Sequence, residues 1–122
     1  MNIALWIGQG LLAVIFVASG TAKSTQSRDR MLATGQTAAK IVPLPLMRVA
    51  GVSELFGVLG VILPWATGVA RVLTPVAATG LAVIMMLAAT VHGRLREPRN
   101  IAINMAILAL AVFVAWGRFA DL

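Results

Sequence analysis

Glu54 is the one charged residue between Val49 and Ala70, within the run Ala50-Gly51-Val52-Ser53-Glu54-Leu55-Phe56-Gly57-Val58-Leu59-Gly60. A carboxylate in such surroundings can accept hydrogen bonds, pair with a cation, or take up and release a proton. Its candidate companions are the ammonium of Lys23, the imidazole of His92 and the carboxamides of Asn100 and Asn104, each at or near one border of an apolar run. Together these groups could build a buried ion-pair network, a proton-handling site, or the polar end of a pocket for an amphipathic ligand. Metal ligation is not expected, because one histidine and one buried carboxylate fall short of the usual ligand count. With no cysteine in the chain, thiol and disulfide chemistry are excluded, and redox work would need a borrowed cofactor.

The elements that position these groups follow from hydropathy. Of 122 residues, 60% are hydrophobic and only 11% charged, and the mean hydropathy is +0.94. A soluble domain carries a charged share nearer a quarter. No charge occurs from Met1 to Ala22, from Val72 to Val91 or from Ile101 to Gly117, and such runs match the ~20 residues that cross ~30 Å of hydrocarbon. The chain therefore reads as all-α, a single integral membrane domain over 1–122, with four transmembrane helices near 3–22, 46–63, 72–91 and 99–117. Met1-Asn2 supplies no basic n-region, so the first segment reads as a retained helix rather than a cleaved signal. Pro43 and Pro45 precede the second span, Pro64 is expected to end it, Pro75 lies in the first turn of the third, and Pro98 opens the fourth. In the long first loop, Ser27 can cap a short interfacial helix over 28–34 that Gly35 ends.

Orientation follows from charge. Lys23, Arg28, Arg30, Lys40, Arg48, Arg94, Arg96 and Arg99 fall on one side of the spans, while Arg71 and Arg118 fall on the other. That eight-to-two split places the basic loops in the cytoplasm and both termini outside. Trp6, Trp65 and Trp116 collect at the opposite, outer border, where amphipathic rings anchor at headgroup level. The net charge of +6 is thereby accounted for by topology, and nucleic acid is not expected as a partner.

The polar candidates also share a depth. Glu54 lies about six residues into the second span from its cytoplasmic end, or ~9 Å, while Lys23 and His92 end spans one and three on the same side. Asn100 and Asn104 occupy the first turns of span four. On helix 1, Gln9, Ala13, Phe16, Gly20 and Lys23 form one stripe, and Ala50, Gly51 and Gly57 give the Glu54 face a small-residue surface suited to close packing in lipid. One polar layer is expected in which Glu54 is the acceptor, Lys23, His92 or Arg48 its cationic partners, and Asn104 a neutral donor.

The segments Phe16-Val17-Ala18-Ser19-Gly20-Thr21-Ala22-Lys23 and Gly51-Val52-Ser53-Glu54-Leu55-Phe56-Gly57, with Ala88-Ala89-Thr90-Val91-His92 before a basic loop, resemble in order and spacing the DoxX-like family of four-helix membrane proteins. The resemblance covers nearly the whole chain. It implies a multi-pass protein of the bacterial cell (inner) membrane, whose relatives are associated with quinone-linked oxidation or with the assembly of other membrane proteins.

Three roles follow as expectations. The first is an accessory subunit, or a binder of a small amphipathic or lipid-like molecule such as a quinone, acting through the layer around Glu54. The second is a membrane subunit of a quinone-linked oxidoreductase. The third is a minimal proton-coupled transporter working as a dimer, against which stands the position of Glu54 in helix 2 rather than helix 1. Four helices bury little surface, and outward small residues such as Gly80 and Ala109 suggest a homo-oligomer or a membrane protein partner.

Overall fold

The computed structural model describes all residues 1–122. Its elements are helices α1 (Asn2–Thr25), α2 (Arg28–Ala33), a short 3-10 helix (Thr37–Lys40), α3 (Leu44–Thr67), α4 (Leu73–Arg94) and α5 (Pro98–Ala120). Helices α1, α3, α4 and α5 are each long and apolar enough to cross a membrane. The short α3–α4 and α4–α5 connections make those spans antiparallel neighbours, and α1 and α3 pair antiparallel across the longer first loop. Close packing joins α1 to α3 and α4 to α5, with a looser seam between α3 and α4 and a lighter contact closing the ring between α1 and α5. Both chain ends lie at one end of the bundle, called here the terminal end, and the first loop and the α4–α5 turn lie at the other, the basic end.

The core is a contiguous set that includes Leu12, Phe16, Val61, Ala78, Leu81, Met85, Ala111 and Val114. Only 25 of the 122 residues are buried, and many large apolar side chains face outward, as a lipid surround permits. Phe56 and Met86 are among them.

Pro64 does not end a helix. It lies inside α3, which continues to Thr67 and stops where Gly68 takes a left-handed φ of +73°. A proline within a helix removes one N–H and frees the carbonyl four residues before it. That carbonyl, on Gly60, accepts from the Thr74 hydroxyl of α4 at 3.0 Å. The neighbouring helix thus satisfies the group that the proline orphaned, which is how such breaks survive where no water reaches. At its other end α3 begins at Leu44, with Pro45 in the first turn. Glu54 therefore stands ten residues along α3, ~15 Å, close to the middle of a 24-residue helix and deeper than the six residues expected.

The tightest crossing is between α1 and α3. The Gly20 and Gly51 backbones approach so closely that a Cβ on Gly51 would lie 2.6 Å from the Cβ of Lys23 and 2.8 Å from the Gly20 carbonyl oxygen. Neither neighbour is a flexible side-chain end that can step aside. On the outer surface a Cβ on Gly80 would meet nothing within 4 Å. Gly51→Ala should accordingly cost about 1–3 kcal/mol through forced separation of the helices, whereas Gly80→Ala should be neutral or slightly stabilising through helix propensity. Thermal melts of the two variants in one detergent check the contrast; equal midpoints would mean that the crossing does not depend on Gly51.

Candidate functional site

Side chains on a helix lean toward its N-terminus, and α1 and α3 run antiparallel. Lys23, near the C-terminal end of α1, leans inward from the basic end, and Glu54, from the middle of α3, leans toward that end. Their side chains meet: Lys23 Nζ lies 2.9 Å from Glu54 Oε2. Glu54 is fully buried and Lys23 is 8% exposed. Lys23 therefore reaches into the bundle instead of extending outward to the interface. Arg48 takes no part in the ion pair and donates from Nη1 to the Lys23 carbonyl at 3.0 Å. Removing either partner of such a pair leaves an uncompensated buried charge, typically a loss of about 3–5 kcal/mol.

The pair is incompletely satisfied. One ammonium proton is used on Glu54, although a lysine carries three donors. Glu54 Oε1, Ser24 Oγ and Asn104 Nδ2 are buried without a hydrogen-bond partner. Asn104 is 8% exposed on α5 but makes no hydrogen bond to Glu54, so the expected donor role is corrected.

His92 is corrected as well. Its Nδ1 lies 2.8 Å from Glu97 Oε1, and the Thr37 hydroxyl donates to the same oxygen at 2.8 Å. Asn100 completes this second group, its Nδ2 3.5 Å from Thr37 Oγ1. The layer expected from four helices is thus divided in two: a deep ion pair between α1 and α3, and a shallow latch joining the first loop to α4 and the α4–α5 turn. Depth decides the split. Glu54 is near mid-helix while His92 stands two residues from the end of α4, and only the long side chain of Lys23 spans the difference.

The His92 and Thr37 hydrogen bonds hold the Glu97 carboxyl below its ordinary value of 4.5. The latch has a mechanical consequence. It fixes Thr37 at the start of the 3-10 helix, and the first loop then seats Met31 and Ala39 against Met47 of α3. Ser27 Oγ accepts from the Arg30 amide to cap α2.

Between α3 and α4, under this loop, lies a groove of about 410 Å³, within the ~300–1,000 Å³ of small-molecule sites. Ten of its twelve lining residues are hydrophobic, among them Val42, Leu46, Ala50, Ile84 and Ala88; the two polar ones are Lys23 and Ser53. Lys23, and not Glu54, is the charged group that lines it. A shallower depression of about 290 Å³ shares Ser53 and Ile84 with the groove and continues it along the seam to Ala77 and Gly80.

A second buried polar cluster was not singled out from sequence. At the terminal end Arg118, 1% exposed, donates to Gln9 Oε1 at 2.7 Å, to Asn2 Oδ1 at 2.9 Å and to Asp121 Oδ2 at 3.2 Å. Its guanidinium is 4.5 Å from the Trp65 ring centroid and 5.5 Å from that of Trp6. Gln9 in turn donates to the Val61 carbonyl at 2.8 Å. The signal was the position of Gln9 on the Phe16–Lys23 stripe, a polar residue on the buried face of helix 1. No group of histidine, aspartate or glutamate residues is arranged to hold a metal ion.

A sequence profile described as the DoxX-like family matches residues 7–114. No curated protein and no solved structure matches.

Because its carboxyl titrates below the ordinary value when folded, Glu97 contributes stability that is present above pH 4.5 and is lost as pH falls through the lowered value. Protection of the amides in segment 26–43, expressed against the intrinsic exchange rate at each pH, should therefore be high at neutral pH and fall as pH drops through the lowered value, and Glu97→Gln should be less protected than wild type at neutral pH. Exchange in wild type and Glu97→Gln that is identical at neutral pH would show that the latch does not hold the loop.

Proposed function

The chain belongs to the DoxX-like family, and on that premise we propose that this multi-pass membrane protein is an accessory protein that binds a small amphipathic, lipid-like molecule in the groove between α3 and α4. The observation that carries the reading is a groove of ten apolar residues with one ammonium at its wall, two of whose protons are free for an acceptor on the ligand. An apolar body would fill the seam, and an oxygen of the head group would face Lys23. A quinone is one molecule of this description. Exposed Leu46, Val49 and Leu87 rim the groove, which supports entry from the bilayer, while the latched loop covers the basic end. Glu54 would act through Lys23, holding the ammonium at the wall.

Ala88→Trp should fill the groove. Native mass spectrometry of protein extracted in a mild detergent, after exposure to a long-chain quinone or to total lipid, should show retention about tenfold weaker than wild type, equivalent to about 1.4 kcal/mol. Ala109→Trp, on an exposed outer position, should retain the molecule normally. Equal retention by all three proteins would sink the groove as the site.

We further place the basic end in the cytoplasm on the eight-to-two charge split. Cysteines introduced at Asp121 and Arg96 should label from outside and inside respectively with a membrane-impermeant reagent; labelling of position 121 only from the cytoplasmic side would reverse the orientation.

A further inference from the structure

The buried ion pair meets the groove unevenly. Lys23 lines it and Glu54 stands behind, fully buried, with Oε1 free of any hydrogen bond. No other charge faces the pair. Helix α1 contributes Lys23 alone, and on α3 Arg48 is directed to the Lys23 carbonyl. Helix α4 carries no charge from Val72 to Val91 and its His92 is held by Glu97. Helix α5 carries none from Ile101 to Gly117, where Asn104 is neutral.

The complement of an ammonium in an apolar wall is an anion. Its approach is favoured by exposed Lys40, between the lining residues Ala38 and Val42, and by exposed Arg94, one turn beyond Val91. Seating an anion on Lys23, however, places two negative charges around one ammonium at a depth where charge is costly. Two anions competing for one site are relieved when one of them takes a proton, and Glu54 Oε1 is unoccupied. The continuous seam from Val91 to Ala77, ~21 Å along α4, accommodates one linear chain.

Resting on the groove reading, we infer that the site takes up a single-chain anionic amphiphile together with one proton. Lys23 turns its free protons to the ligand anion, and Glu54 becomes a carboxylic acid. The one new covalent bond is the O–H on Glu54, no electrons are transferred, and the site remains neutral overall because the anion and the proton enter together. The coupling makes Glu54 a positioning and proton-accepting residue rather than a ligand contact.

Hexadecyl sulfonate, anionic throughout the neutral range, is the probe, with hexadecanol as its uncharged counterpart and protein in nanodiscs of zwitterionic lipid. Sulfonate affinity of wild type, measured at about pH 8 and about pH 6, should be higher at the lower pH, with a slope no steeper than about tenfold per unit, the limit for one linked proton. Glu54→Gln, already neutral, should bind sulfonate at the higher pH as tightly as wild type at the lower, with a flat profile. Should that variant not fold, calorimetry of wild type in buffers of different ionisation heat should give about one proton taken up per sulfonate. Sulfonate binding that Ala88→Trp blocks but that is independent of pH and releases or takes up no proton would overturn the coupling and leave the groove standing. Binding of hexadecanol without sulfonate at any pH would do the same. Binding of neither probe, with Ala88→Trp indistinguishable from wild type, would overturn the groove reading itself.

Discussion

Hydrocarbon offers no hydrogen bonds, and every polar group that this chain carries into the membrane must be met from within the bundle. The fold can be followed through those meetings. Pro64 frees the Gly60 carbonyl and Thr74 of the next helix takes it. Gln9 ties α1 to the Val61 carbonyl of α3 and receives Arg118 of α5. Lys23 and Glu54 tie α1 to α3 again, two turns or more toward the basic end. The buried polar residues are few, and Gln9, Lys23, Glu54, Thr74 and Arg118 each join helices that apolar packing alone would leave free to slide.

Those ties are unequally distributed, and the groove is a consequence. Helices α1 and α3 come together through Gly20 and Gly51 and are joined by an ion pair. Helices α3 and α4 share the Thr74 bond at the terminal end, and toward the basic end their seam opens into an apolar trough. The loop latched by Glu97 to Thr37 and His92 then covers the wider end of that trough. Rigid packing on one side of α3 and an open seam on the other give Lys23 its double position, anchored to one helix partner and lining a space between two others.

The two ends of the bundle use their cations differently. At the terminal end Arg118 is enclosed by Trp6, Trp65, Gln9, Asn2 and Asp121, and Arg71 also stacks on Trp65, 5.0 Å from its ring centroid. A planar guanidinium suits such an enclosure because it stacks on rings while donating in its plane. At the deep pair an ammonium on a flexible stem reaches a carboxylate and keeps donors in reserve. Both leave hydrogen-bonding capacity unmet, at Arg118 Nη2 and at Glu54 Oε1, but only the second stands beside a groove.

Hydropathy and charge by themselves determined that the chain is an all-α bundle of four membrane-crossing helices, because ~20-residue uncharged runs admit no other satisfied backbone in lipid. The motifs around Gly20, Glu54 and His92 were sufficient to indicate the DoxX-like family. Tertiary structure decided which polar groups meet. Sequence fixes depth only as well as it fixes helix ends, and starting α3 at Leu44 moved Glu54 to mid-helix, while His92 near the end of α4 pairs with Glu97 instead. It fixes a face but not the partner on the facing helix, so Gln9 was legible as part of a stripe while its bond to Arg118, 109 residues away, was not. The groove is of the same kind: it belongs to no segment, arising from the space left when α3 is drawn toward α1, and spaces between helices are set by packing rather than by any residue's own preference.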